Sequence, residues 1–236
     1  MFATATRACA GYLVDVDGRR LWMDAGAGSW RNLLRSIDYA DIDGVLLSHR
    51  HPDHTSDVFQ AFHARQYGGS KPLAPVPLWA PEETLERLCA FGGELEQSFD
   101  LRTISARSEV AFHSARLTFV EMAHPPETLG VRLEHPNGVL AYSSDSGPGA
   151  DFARLAGAAD LFLCESTLQD VDETWDGHMR ASQAGEVAAS NDVARLVLTH
   201  LPPGREESTS LREARSAAAG VDVQLANDGE RFEVRA

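Results

Sequence analysis

Cysteine is scarce in this sequence: Cys9, Cys89 and Cys164 are three in 236 residues, an odd number with no Cys-x-x-Cys spacing. That argues against a disulfide framework or a thiolate zinc knuckle and leaves the three as small buried apolar residues. Long apolar runs are missing as well, and no stretch approaches the roughly 18 to 20 residues needed to span a bilayer. The opening MFATATRACAGYLVDV carries one Arg but no long apolar core before a cleavage site, which argues against a secretory signal. The expectation is a soluble protein that stays in the cytoplasm. Positive charge is in short supply too: 21 Lys and Arg stand against 35 Asp and Glu, a formal net charge of −14. A broad basic surface for tracking nucleic acid is therefore a poor expectation, because phosphate binding depends on clustered Lys and Arg.

What remains is an ordinary globular balance, 43% hydrophobic and 24% charged, without a fixed repeat or a low-complexity linker. The length fits one domain spanning residues 1–236 with material for a sizeable core. GYLVDV and RRLWMD, joined by Asp17-Gly18, predict a hairpin, since Asp-Gly supplies the positive φ of a two-residue turn. Ser29 to Ser36 predicts a short helix, DGVLLSH a buried strand, and Ser56 to Gln66 a helix following a cluster of His and Asp. PLWAP predicts a strand and Glu82 to Phe91 a helix. LRTIS, ARLTFVEM, LGVRLEH and GVLAYSSD, the last two joined by Pro136-Asn137-Gly138, predict a second, mostly antiparallel sheet. Beyond it helices at Ala150 to Gly157, MRASQAGEVAAS and SLREARSAAAG alternate with strands DLFLCE, ARLVLTH and VDVQLA, and FEVR closes the chain as a strand. The class is α/β, and periodicity alone goes no further.

The densest chemistry is Ser48-His49-Arg50-His51-Pro52-Asp53-His54. Alternation puts His49 and His51 on one side of an extended segment, and the Pro-Asp turn brings Asp53 and His54 to a neighbouring position. One loop can feed two metals. Imidazole with carboxylate suits Zn, Mn or Fe, and the lack of Cys at the cluster points away from Cu(I) or iron–sulfur.

HxHxDH directly after the apolar run GVLL resembles the defining motif of the metallo-β-lactamase superfamily. That resemblance implies a four-layer αββα sandwich, two α/β halves whose sheets face each other with helices outside, and two divalent metal ions, zinc first. It extends almost end to end. Asp24, in Trp22-Met23-Asp24-Ala25-Gly26, resembles the strand-end Asp-x-Gly whose carboxylate orients the histidine loop. His124, in EMAHPPETLGVRLE, resembles the third histidine of the first metal site. Asp145, in LAYSSDSGP, resembles the bridging carboxylate, and His200, in LVLTHLPP, the last histidine on the second metal. His63, His113 and His135 match no position of the motif. The relatives begin with a strand and a Gly/Ser-rich loop before the segment resembling Cys9 to Leu13, where this sequence has eight residues.

The ligand set is shared by β-lactamases, thioesterases, lactonases and nucleases, so the branch must be read elsewhere. Asp at position 145, without a second-metal Cys, disfavours antibiotic hydrolysis. DLFLCESTL, then DGHMRASQAGEVAAS, then LVLTHLPP resembles ribonuclease Z and related phosphodiesterases. The resemblance places Glu165 and His178 at the leaving oxygen, His178 as proton donor and Glu165 holding it. Chemistry supplies an independent reason, because an alkoxide leaving a phosphodiester needs a proton even beside two metals. Asp53 is expected to ligate and help orient the nucleophile, which attacks phosphorus in line.

Ribonuclease Z proper carries a long Gly- and Pro-rich arm that grips transfer RNA. Here the only loop of that kind, Gly68 to Pro77, is short and holds a single Lys, Lys71. With the acidic balance, this favours a small phosphodiester such as a cyclic nucleotide, since two divalent cations would add about four positive charges where a small anion must reach. The alternatives are transfer-RNA 3′ processing and thioester or lactone hydrolysis on the same metals. The resemblance also implies a homodimer, and no membrane partner is expected.

Overall fold

The computed structural model describes residues 1–235. The chain is mixed α/β, with two sheets and helices, and divides into two compact units, Met1–Ser105 and Ala106–Ala236.

The first unit is built on five strands, β1 (Tyr12–Val16), β2 (Arg19–Met23), β3 (Gly44–Leu46), β4 (Val76–Ala80) and β5 (Phe99–Thr103), hydrogen-bonded in that order. The β1–β2 hairpin is antiparallel, with Val16 opposite Arg19. Its turn residues Asp17 and Gly18 have φ of 51° and 85°, the two positive values that a type I′ turn requires. All later pairings in this sheet are parallel, and the crossovers supply helices: α1 (Ser29–Leu33), α2 (Pro52–Thr55), α3 (Val58–Tyr67) and α4 (Glu82–Gly92). Trp22, Val45, Leu47, Val58, Phe62, Leu78, Leu88 and Phe99 form the core of this unit. Strand β3 is buried at every residue, as a parallel strand covered on both faces must be.

The second unit carries seven strands, β6 (Glu109–Phe112), β7 (Ala115–Glu121), β8 (Leu129–His135), β9 (Gly138–Tyr142), β10 (Leu161–Glu165), β11 (Arg195–Thr199) and β12 (Asp222–Leu225). They are ordered β12-β11-β10-β9-β8-β7-β6. The run β6 to β9 is antiparallel, and β9 to β12 are parallel. Edge strand β6 alternates exposed and buried residues, while central β10 is buried throughout. Helices α5 (Phe152–Ala156), α6 (Ala181–Ser190) and α7 (Glu207–Ala217) complete the unit. Its core gathers Met122, Phe152, Leu155, Phe162, Cys164, Met179, Leu196, Leu198 and Val223. Along the solvent side of β6 to β8, Arg116 bonds Glu109 and Glu134, and Arg132 bonds Glu134 at 2.9 Å.

Three expectations change. LRTIS does not join the antiparallel sheet: it is β5, parallel to β4, because strand membership is set by a partner and not by a strand's own periodicity. The helix expected from Ser56 to Gln66 is α3, starting at Val58, and a separate short helix, α2, lies inside the histidine cluster with Pro52 in its first turn, where a missing N–H costs nothing. FEVR at the end of the chain is not a strand. Cys9 and Cys164 are buried free thiols and Cys89 is half-buried. Among the described residues no helix is long and apolar enough to cross a membrane.

Candidate functional site

In the first unit the candidate residues follow the C-terminal end of β3. Asp24, just past β2, is fully buried and accepts three hydrogen bonds: from the Ser48 N–H at 2.8 Å, the Ser48 hydroxyl at 2.9 Å and His54 Nδ1 at 2.7 Å. Ser48 spends its only hydroxyl proton on Asp24, so at 3.0 Å it accepts from His49 Nδ1. One carboxylate thus fixes two rings, and in both it is Nε2 that keeps the lone pair. His49 Nε2 and His51 Nδ1 converge to 3.1 Å. Two imidazole nitrogens bound to one tetrahedral zinc stand about 3.3 Å apart when each metal–nitrogen bond is ~2.0–2.1 Å, so the pair fits a shared ion. His54 Nε2 lies 4.0 Å from Asp53 Oδ2. Asp53 also forms an ion pair with the Met1 ammonium.

Local backbone makes this possible. Asp24 has φ of 56°, a left-handed conformation uncommon outside Gly and often found at functional sites. Gly26 lies so close to the histidine loop that an added Cβ would come within 1.9 Å of the Asp53 carbonyl oxygen. The Asp-x-Gly spacing therefore joins an orienting carboxylate to a position where only Gly fits.

In the second unit the candidates sit on separate strand ends. His124 is buried and donates from Nδ1 to the Gly177 carbonyl at 2.7 Å. Burial, the largest influence, depresses its pKa despite that bond and the Asp145 charge, keeping the ring neutral as a metal ligand must be. Asp145 follows β9 at the left-handed Ser144 (φ 53°). Its carboxylate lies 3.8 Å from His124 Nε2 and 3.2 Å from His200 Nε2. His200, after β11, is itself left-handed (φ 58°). Thr167 fixes it: the hydroxyl donates to the His200 carbonyl at 3.2 Å and takes the Nδ1 proton at 2.9 Å.

Glu165, at the end of β10, is fully buried. It bonds His178 Nδ1 at 2.5 Å and accepts the backbone N–H of Ser146 at 2.8 Å and of Thr167 at 3.1 Å. Burial alone would hold His178 down, but the bond to Glu165 and the charges of Glu165 and Asp145 outweigh it, and its pKa is raised. Asp145, His178 and His200 bring donor atoms within 4.8 Å of one another. The peptide before His178 is fixed by packing, because a Cβ on Gly147 would stand 1.7 Å from the Asp176 carbonyl oxygen.

Each of the ten residues singled out in the sequence, Asp24 included, lies beside other members of the set within its own unit. His63 and His113 are exposed, and His135 bonds the Ser114 hydroxyl at 3.0 Å. Sequence reasoning passed over Ser48 and Thr167, both adjacent to motif residues, and the Gly177 carbonyl, which no side-chain pattern reveals.

Imidazoles with fixed tautomers beside buried carboxylates are the equipment of a metallo-hydrolase. Residues 5–201 match the model of the beta-lactamase superfamily domain, and the chain belongs to that family. It is 37% identical over 225 residues to the uncharacterized protein Rv1339 of Mycobacterium tuberculosis, covering 91% of this chain and 81% of that one. It is similar to a ribonuclease Z of Kineococcus radiotolerans, 28% identical over 284 residues, 95% of this chain and 89% of the relative. The crystal structure of the metallo-beta-lactamase fold protein YhfI from Bacillus subtilis matches with a TM-score of 0.88 at 25% identity, over 97% of this chain and 93% of that chain.

Proposed function

We propose that this metallo-hydrolase, working as one domain over residues 1–236, cleaves a small phosphodiester such as a cyclic nucleotide. The observation that carries the reading is the buried Glu165 hydrogen-bonded to His178, beside Asp145 and His200. Following the family resemblance, His49, His51, Asp53 and His54 of the first unit and His124, Asp145 and His200 of the second would serve as ligands of two divalent ions, zinc, manganese or iron. When bound, such a pair supplies Lewis acidity toward a phosphoryl oxygen and lowers the pKa of water.

The chain's own residues do the rest. Asp53 holds and orients the attacking water. His178, presenting Nε2 because Nδ1 is taken by Glu165, protonates the departing alkoxide. Glu165 keeps the ring in that tautomer and stabilises its charged form, and its bonds to Ser146 and Thr167 N–H keep the carboxylate from turning away. A thioester hydrolase would use the same ligands with little need for this pair, since a thiolate leaves without a proton.

The test is His178→Ala, assayed on bis(p-nitrophenyl) phosphate, 3′,5′-cyclic AMP and a thioester, with bound metal quantified. The expected outcome is a kcat lower by about 10²- to 10⁴-fold on cyclic AMP with the metal content of the parent. Loss of metal would make His178 a ligand instead of an acid. Thioester turnover without phosphodiester turnover would overturn the phosphodiesterase reading.

A further inference from the structure

Trp22 and Trp79 belong to the core, 1% and 5% exposed. Trp175 is different, half exposed at 50% in the segment Asp170-Val171-Asp172-Glu173-Thr174-Trp175-Asp176-Gly177-His178. Its indole lies edge-on to His178 with ring centroids 4.7 Å apart, and 5.8 Å from His124. A lone exposed aromatic is ordinary. One held still beside a proposed general acid is not.

The hold comes from the backbone on either side of the ring. The carbonyl of Trp175 accepts the His178 N–H at 3.2 Å. Asp176 packs on Gly147 where no side chain would fit, and the Gly177 carbonyl is bonded to His124. Gly177 itself lies against the indole, where a Cβ would come within 2.8 Å of the ring. The indole is therefore backed on one face by Gly177 and keeps exposed surface, the geometry of a stacking platform.

From this geometry we propose that Trp175 is the specificity-determining residue of the site, the surface on which a nucleobase of the substrate stacks, so that the substrate class is nucleoside phosphodiesters. The inference rests on the phosphodiesterase reading for the word phosphodiester and on Trp175 for the word nucleoside. The surroundings narrow it further. Asp170, Glu173 and Asp176 are exposed on the same segment, and their negative charge repels a chain of phosphates, while a single phosphodiester charge suffers least. A base one sugar away from phosphorus can rest on Trp175 and leave its phosphate next to His178.

The experiment is equilibrium binding to the metal-loaded full-length protein, by calorimetry, of adenosine 5′-monophosphate and of ribose 5-phosphate, which lacks the base. The parent is expected to bind the nucleotide about 5- to 100-fold more tightly, the range that base–aromatic stacking gives. Trp175→Ala should bring the ratio close to one, and Trp175→Phe should keep most of it. Quenching of the exposed indole by the nucleotide and not by the sugar phosphate gives the same reading in the unsubstituted protein, so it does not depend on either variant folding. Equal binding of the two ligands by the parent, or an unchanged ratio in Trp175→Ala, overturns the proposal even if phosphodiesters are hydrolysed. A clear preference for the nucleotide in a protein that turns over no phosphodiester supports the platform and sinks the phosphodiesterase reading instead.

Discussion

The two units prepare their share of donors in opposite ways. In the first, four candidate ligands come from one six-residue stretch, and a single buried carboxylate, Asp24, fixes two of them, His54 directly and His49 through Ser48. In the second, the candidates are spread over separate strand ends, and each ring has its own partner: Gly177 for His124, Thr167 for His200, Glu165 for His178. The first arrangement is compact in sequence and depends on one residue. The second is dispersed and distributes the same task, so the loss of any one partner should disturb one ring only.

That contrast can be broken at its most concentrated point. Asp24→Ala leaves the Ser48 N–H and hydroxyl and the His54 ring without their acceptor, which should destabilise the protein by about 3 kcal/mol and weaken metal binding by roughly 100-fold. Thermal melting and metal titration read both effects, and a variant that binds metal like its parent would refute the single-anchor view. A smaller effect is expected for Thr167→Val, which removes only the His200 partner: about 10-fold in metal affinity, with loss confined to one of the two ions. Equal loss of both ions would mean that the second unit is as coupled as the first.

The smallest effect lies away from the metals, on the solvent side of the antiparallel strands. The bond from Arg132, foremost, and that from Arg116 hold the Glu134 pKa below its usual value despite some burial. A depressed folded-state pKa contributes stability above the unfolded pKa, near 4.5, and loses it as pH falls through the folded value. The melting-temperature advantage of the parent over Glu134→Gln should therefore shrink as the pH is taken below about 4.5. Because titration elsewhere is common to both proteins, a difference that stays constant with pH would contradict the assignment.

How much of this could be read in the sequence follows the same contrast. The histidine loop was legible because its residues are contiguous and their spacing alone states a geometry. His124, Asp145 and His200 were legible only through resemblance, since a single His or Asp at a strand end carries no pattern. Thr167 was passed over although it lies two residues after Glu165, because a hydroxyl's role depends on which ring the fold brings to it. Trp175 sits in an acidic stretch whose composition announces solvent, and nothing local says that its ring rests against His178. The fold class was readable from alternating strands and helices, while the membership of β5 and the fate of FEVR depended on pairing partners far along the chain.

The left-handed residues Asp24, Ser144 and His200 bear on the history of such a chain as well as on its chemistry. Each holds a conformation costing of order 1 kcal/mol or more, which the hydrogen bonds and packing around it must offset. These site positions are therefore held at a standing loss of stability, and selection for folding alone would replace these residues with Gly or straighten the strand ends. In a lineage that stopped using such a site, these positions would be among the earliest to drift toward residues that fold at lower cost.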